Sequence, residues 1–203
     1  MPARTQPTPR GVEREGAARP GLAIAGADFD ALSYVMALVR DVPDFPREGI
    51  LYRDITPLLA NPKGFHIVLD AIAHRFTGEK IDAIVGVESR GFIFGAALAA
   101  RLNASFVPVR KPGKLPASVD RVSYSLEYGE SELEMHRDAL EERAQVLVVD
   151  DLLATGGTAS AAASLVERQG AVVHAFAFVI ELLALEGRAT LGGTPVVSLL
   201  QYD

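Results

Sequence analysis

The chain of 203 residues has no cysteine and no tryptophan. Without a thiol there can be no disulfide framework, thiolate zinc site, iron–sulfur cluster or cysteine nucleophile. Histidine is scarce as well: His66, His74, His136 and His174 are the only four. They show no i, i+4 pairing and no H-E-x-x-H spacing, and G-x-S-x-G is absent, so neither a zinc protease nor a Ser-His-Asp hydrolase is indicated. A basic excess is also missing. Lys and Arg number 20 against 26 Asp and Glu, a formal net charge of −6. That balance argues against duplex nucleic-acid binding while leaving room for a local cationic pocket. The longest apolar runs lie near residues 81–87 and 172–180, too short for the roughly 20 residues of a spanning helix. Met1 to Gly26 lacks the apolar block of a secretory signal. The expectation is a cytoplasmic protein with neither membrane nor nucleic acid among its partners.

What the chain does have is core. At 49 % hydrophobic residues, a domain of this size can bury about 70 % of its unfolded surface. Residues 1–27, rich in Pro, Arg, Gly and Ala, read as a disordered N-terminal extension, and 28–203 as the folded domain. Leu32, Val35, Met36 and Val39 have the i, i+3, i+4, i+7 spacing of an amphipathic helix over Asp28 to Val39. Pro43 and Pro46 end it, and a short extended piece follows at Ile50–Tyr52. Asn61-Pro62 reads as a helix cap and first-turn proline, with Phe65, Leu69, Ile72 and Phe76 on one face. From Ile81 the rhythm is β-α-β-α. Strands are predicted at Ile81–Val87, Ser105–Val109, Val146–Asp150, Ala171–Ile180 and Val196–Gln201, and helices at Gly91–Leu102 and Thr158–Gln169. This indicates an α/β fold with a mostly parallel sheet. Lys111 to Met135 breaks the rhythm with Pro112, Gly113, Pro116 and an alternating Ser123–Tyr128 stretch, and reads as a hairpin or flap outside the parallel core.

The most informative stretch runs from Val146 to Thr158. A buried strand ends in two carboxylates, Asp150 and Asp151, and a loop of Ala154, Thr155, Gly156, Gly157 and Thr158 enters a helix. Ligands bind beyond the carboxyl ends of strands in open α/β sheets. Loop glycines let backbone N–H groups converge on an anion, aided by the helix N-terminus and the threonine hydroxyls. Neither the Walker loop nor G-x-G-x-x-G is present. Carboxylates beside an anion site would face sugar hydroxyls or a hydrated Mg²⁺. A ligand with phosphate, ribose and metal satisfies all these features.

This stretch strongly resembles the signature of the type I phosphoribosyltransferases that binds 5-phosphoribosyl-1-pyrophosphate (PRPP). Four further blocks narrow the resemblance to the adenine-specific branch: Asp44-Phe45-Pro46 leading to Tyr52-Arg53-Asp54-Ile55-Thr56-Pro57, Glu88-Ser89-Arg90-Gly91-Phe92, Arg110-Lys111-Pro112-Gly113-Lys114-Leu115-Pro116, and Tyr124-Ser125-Leu126-Glu127-Tyr128-Gly129. Together they cover roughly residues 30–203. The resemblance implies the type I phosphoribosyltransferase fold, a mostly parallel central sheet flanked by helices, with a flexible β-hairpin flap and a small hood. It implies transfer of the phosphoribosyl group from PRPP to adenine, giving AMP and pyrophosphate, with Mg²⁺ carried by PRPP near Asp150 and Asp151 and bound directly by no protein ligand. By the same resemblance, Ala154 to Thr158 cradle the 5′-phosphate, and Arg90, Lys111, Lys114 and Tyr128 belong to the PRPP and AMP site. Glu127 is the acid/base group, and Leu51, Arg53 and Leu182 border adenine. A homodimer is implied. A relative acting on hypoxanthine, guanine, xanthine or orotate, or a non-catalytic PRPP sensor on the same fold, are the alternatives. The Arg110–Pro116 block and the flap favour adenine, and retention of Glu127 and Lys114 favours catalysis.

Overall fold

The computed structural model describes residues 19–20, 29–126 and 129–203. Five parallel strands form the centre: β4 (Ala83–Val87), β5 (Ser105–Val109), β8 (Gln145–Leu153), β9 (Val172–Leu182) and β10 (Val196–Tyr202). A two-residue strand, β1 (Arg19–Pro20), adds antiparallel to β10, so the sheet order is β1-β10-β9-β8-β4-β5. Arg19 and Pro20 thus depart from the expected disordered extension. They pair with the free edge of β10, where a proline is tolerated because its missing N–H faces away from the ladder. The rest of residues 1–28 lies outside the described residues.

Every residue of β4 is buried, as a strand covered on both faces must be, and this accounts for its unbroken apolar run. Alternation along the strands divides the core. Ile84 and Leu147 face one layer with Val35 of α1 (Phe29–Met36), Val68 and Ile72 of α3 (Pro62–Arg75), and Phe94 and Leu98 of α4 (Arg90–Leu102). Val85, Val146, Val148, Phe176 and Phe178 face the other, with Ala162 and Leu165 of α5 (Gly157–Arg168). The hairpin of β6 (Val119–Leu126) and β7 (Gly129–His136) closes that side through Leu133 and Met135. Among the described residues no helix is long and apolar enough to cross a membrane.

Local chemistry explains most boundaries. Asn61 caps α3 by accepting from the Gly64 N–H at 2.8 Å, with Pro62 in the first turn as expected. α4 ends on Asn103 in the left-handed conformation (φ 53°), which asparagine tolerates. Several strand ends differ from expectation, β4 starting at Ala83 and β9 ending at Leu182. β8 does not stop at Asp150 but runs to Leu153, because the longer β9 keeps pairing with it as far as Leu153 opposite Glu181. The extended piece placed at Ile50–Tyr52 is β3 (Tyr52–Asp54), shifted by its partner β2 (Arg40–Val42). Arg40 sits opposite Asp54 and Asp41 opposite Arg53, and both pairs are salt bridges. With α1 and the short helix α2 (Thr56–Leu59), this ribbon forms the hood expected over the sheet.

Two measurements check this account. Ile72 is fully buried, so Ile72→Ala should cost about 2–5 kcal/mol by denaturant unfolding, whereas a loss below half a kcal/mol would remove it from the core. The Asp54 carboxyl is held down to about 2, chiefly by the Thr56 hydroxyl and N–H and then by Arg40. A carboxyl with a depressed pKa adds stability above its unfolded value and loses it as pH falls toward the folded one. Asp54→Asn should therefore be less stable than wild type at pH 7, with the gap closing below about pH 4. A gap independent of pH would refute the charge-based role.

Candidate active site

The strand order reverses between β4 and β8. β4 leads through α4 to β5 on one side, while β8, β9 and β10 build outward on the other. In doubly wound sheets this is where a crevice opens at the carboxyl ends of the strands. Here it is a pocket of about 200 Å³ lined by Arg90, Asp150, Asp151, the 154–158 loop and Phe178.

α4 reaches this crevice because its second residue is a glycine. A Cβ on Gly91 would lie 2.7 Å from the Val149 carbonyl oxygen and 2.9 Å from Asp150 Oδ1, so a side chain there would push the helix start off β8. The close approach puts Arg90 beside the acidic pair, with Arg90 Nε 2.6 Å from Asp151 Oδ2. The guanidinium also donates to the Tyr52 hydroxyl of β3, which couples the hood to the crevice. Phe45 packs edge-on against Tyr52, ring centroids 5.1 Å apart.

Asp151 is nearly buried, and its N–H donates to Asp150 Oδ1 at 2.9 Å. Burial raises the Asp150 carboxyl well above its ordinary range, and the neighbouring Asp151 charge adds to that. Asp151 is raised as well, because burial outweighs the attraction of Arg90. The two carboxyls are thus basic for aspartates and suited to accepting hydrogen bonds from hydroxyl groups.

The loop after β8 is set by backbone contacts. Gly156 has φ +83°, and a Cβ there would lie 2.5 Å from the Gly187 carbonyl oxygen. Gly187 opens a 3₁₀ turn, Gly187–Leu191, whose Thr190 hydroxyl donates to the Thr155 carbonyl at 3.3 Å. Gly156 caps the start of α5 without any side-chain hydrogen bond. The first N–H groups of this twelve-residue helix therefore face the pocket without a side-chain partner at that cap, an arrangement suited to an anion. The Thr158 hydroxyl donates to the Tyr124 hydroxyl of β6 at 3.3 Å.

Lys111 and Lys114 lie on the loop that follows β5, the strand next to β4. Arg110 anchors it with two bonds of 3.2 Å to Glu88 and one of 3.0 Å to the Lys114 carbonyl. The Lys111 N–H donates to Glu88 at 3.0 Å, and both lysine side chains are exposed. Burial alone would raise the Glu88 carboxyl, but the Arg110 and Lys111 hydrogen bonds outweigh it and leave it below the ordinary range.

The remaining expected residues are placed less uniformly. Leu51 is exposed, just before β3. The Arg53 side chain points to Asp41 and stacks 4.1 Å from the Tyr202 ring centroid, so only its backbone is open to a ligand role. Leu182 ends β9, half-buried against the core. Glu127 and Tyr128 lie outside the described residues. Tyr52 and Glu88 stand in blocks that carry the resemblance, but nothing along the chain pairs them with Arg90 and Arg110, and Phe178 stands in no motif. The partners of Tyr52 and Glu88 lie 38 and 22 residues away, beyond the reach of local pattern. Glu181, next to Leu182, is buried and receives Arg188 Nη2 at 2.7 Å and the Ser198 hydroxyl.

Residues 54–188 match the phosphoribosyl transferase domain family. The adenine phosphoribosyltransferase of Sorangium cellulosum is 63 % identical over 177 residues, covering 85 % of this chain and 88 % of the relative. The crystal structure of the Thermoanaerobacter pseudethanolicus enzyme of that name superposes with a TM-score of 0.82 at 48 % identity, covering 84 % of this chain and 99 % of that one. The Saccharomyces cerevisiae enzyme, complexed with an imino-altritol bisphosphate and adenine, gives 0.79 at 42 % identity over 83 % of this chain and 98 % of its own. With this identity over most of both chains and a shared fold, the chain belongs to the adenine phosphoribosyltransferases.

Proposed function

We propose that the protein transfers the phosphoribosyl group of PRPP to adenine, giving AMP and pyrophosphate. One observation carries the reading: a single crevice joins two buried carboxyls, an arginine and an uncapped helix N-terminus behind a Thr-Gly-Gly-Thr loop. The loop from Ala154 to Thr158 holds the 5′-phosphate through backbone N–H groups and threonine hydroxyls. Asp150 and Asp151 accept from the ribose hydroxyls. Arg90, Lys111 and Lys114 take the pyrophosphate, and an arginine fork suits its oxygens.

In the reaction the bond from the anomeric carbon to the pyrophosphate oxygen breaks, and the electron pair leaves with pyrophosphate. A bond forms from that carbon to the purine ring nitrogen, whose proton passes to Glu127. As the ribose gains positive charge, Asp150 and Asp151 stabilise it electrostatically while the cations stabilise the leaving group. Closing the hairpin, with Tyr128, excludes the water that would otherwise hydrolyse PRPP. Adenine lies against Leu182, its edge read by backbone groups of Leu51 to Arg53. The residues present fit a Mg²⁺ carried by the substrate. Two carboxyls border the crevice, and among the described residues no group of three or more ligating side chains could cage an ion. Bound with PRPP, the ion supplies charge neutralisation on the diphosphate.

A homodimer belongs to the same proposal. The exposed apolar side chains of Phe45, Ile50, Leu51 and Ile93 are the surface available for it. Sedimentation equilibrium should give twice the chain mass of 21.6 kDa, and a monomer at micromolar concentration would count against it.

The function is tested by incubating the protein with PRPP, Mg²⁺ and each base in turn, following pyrophosphate release. Release is expected with adenine. Release with another base only, or PRPP binding without turnover on any base, refutes the reading. Glu127→Ala should lower kcat by roughly 10²–10⁴ with PRPP affinity nearly unchanged, and an unchanged kcat would remove Glu127 from proton transfer.

A further inference from the structure

Beneath the Lys111–Lys114 loop lies a carboxylate that the mechanism above does not use. Glu134 of β7 is only 2 % exposed. Its Oε2 accepts the Gly113 N–H at 2.9 Å, and its Oε1 accepts Arg121 Nε of β6 at 3.0 Å. Its own backbone makes a two-way bridge with Arg110, N–H to carbonyl at 2.7 and 2.9 Å. The Gly113 and Arg121 hydrogen bonds hold its carboxyl below the ordinary range, so it stays ionised at neutral pH. Gly113 sits between the two lysines with φ +73° and open space around its α-carbon. No packing meets a side chain at Gly113, so the tip of this loop is held by two hydrogen bonds, Glu134 to the Gly113 N–H and Arg110 to the Lys114 carbonyl, and only the first reaches the turn between the two lysines. Glu88 restrains only the entry, at Arg110 and Lys111.

We infer that Glu134 is a positioning residue for pyrophosphate: by gripping the Gly113 N–H it fixes the turn that aims Lys111 and Lys114 at the leaving group. Arg121 neutralises the buried carboxylate, so that it does not repel the polyanion above it. A single side chain thereby joins three elements, the loop after β5 and both strands of the hairpin. The inference rests on the proposed placement of pyrophosphate at Lys111 and Lys114.

Glu134→Gln keeps shape and volume but leaves one acceptor oxygen where two donors converge. With Mg²⁺ present, calorimetric titration of this variant should show pyrophosphate binding weakened about tenfold, the scale of one charge-assisted hydrogen bond. AMP affinity, set on the opposite side of the crevice, should stay within about twofold. KM for PRPP should rise in step while kcat moves less than about threefold, as expected when binding and not transition-state contact is lost. Equal loss of AMP and pyrophosphate affinity would indicate general loosening and overturn the inference. Unchanged pyrophosphate affinity in Glu134→Gln, with a loss in the Lys111→Ala/Lys114→Ala double variant, would overturn it while leaving the pyrophosphate site standing. Unchanged affinity in that double variant would overturn both. Should Glu134→Gln fail to fold, hydrogen exchange of the Gly113 amide in the wild-type protein decides. Protection supports the grip, and exchange at the rate of an open loop refutes it.

Discussion

A carboxylate nearly withdrawn from water needs a cation beside it, and Asp151 finds one in Arg90. Much of the crevice follows from this pair. It spans the ends of β4 and β8, where the sheet's connections diverge. The arginine reaches Asp151 only because Gly91 lets α4 settle onto β8. The same guanidinium holds Tyr52, and Tyr52 pins the β2–β3 ribbon. Moving Arg90 would therefore disturb the acidic pair, the start of α4 and the hood together.

The chain is acidic overall, yet Arg90 lines the crevice beside the acidic pair, and Lys111 and Lys114 stand exposed on the loop after β5. Acidic side chains make that possible. Glu88 holds Arg110, Glu134 holds Arg121, and Glu181 holds Arg188. In each case a buried or half-buried carboxylate fixes an arginine, and each arginine then stiffens a segment bordering the crevice. In the proposed site Lys111 and Lys114 are left for the ligand. This division follows from their chemistry: a planar guanidinium keeps its geometry in a structural fork, whereas an ammonium on a flexible stem adapts to a charge that arrives and departs.

Much of this was legible along the chain. The Val146–Thr158 stretch was readable because its parts are contiguous, a buried strand, two carboxylates and a glycine loop. β5 has the predicted bounds because Asn103, which ends α4, and Arg110-Lys111-Pro112 bracket an apolar run whose pairing ends where the run ends. β8 overran its predicted end because continued pairing with β9 outweighs the polarity of Asp150 and Asp151, a tertiary effect that local pattern does not carry. The β2–β3 ribbon was misplaced for a related reason, since its register is set by cross-strand charges and not by alternation. The clamps were illegible. Glu134 and Gly113 are 21 residues apart, and nothing in either neighbourhood marks them as partners. Arg53 was legible as part of a motif, but the direction of its side chain, toward Tyr202, depends on the chain's far end.

The contact between Gly156 and the 3₁₀ turn at Gly187 sets how the two ends of the crevice meet a ligand. Two backbones lie too close for any side chain between them, so the phosphate cradle has almost no freedom left to lose. In the proposed placement of pyrophosphate, the exposed Lys111 and Lys114 each surrender rotamer freedom on binding, about 0.5–1.5 kcal/mol apiece. The entropic cost of recognition falls on one side of the crevice, and the other side behaves as a rigid die.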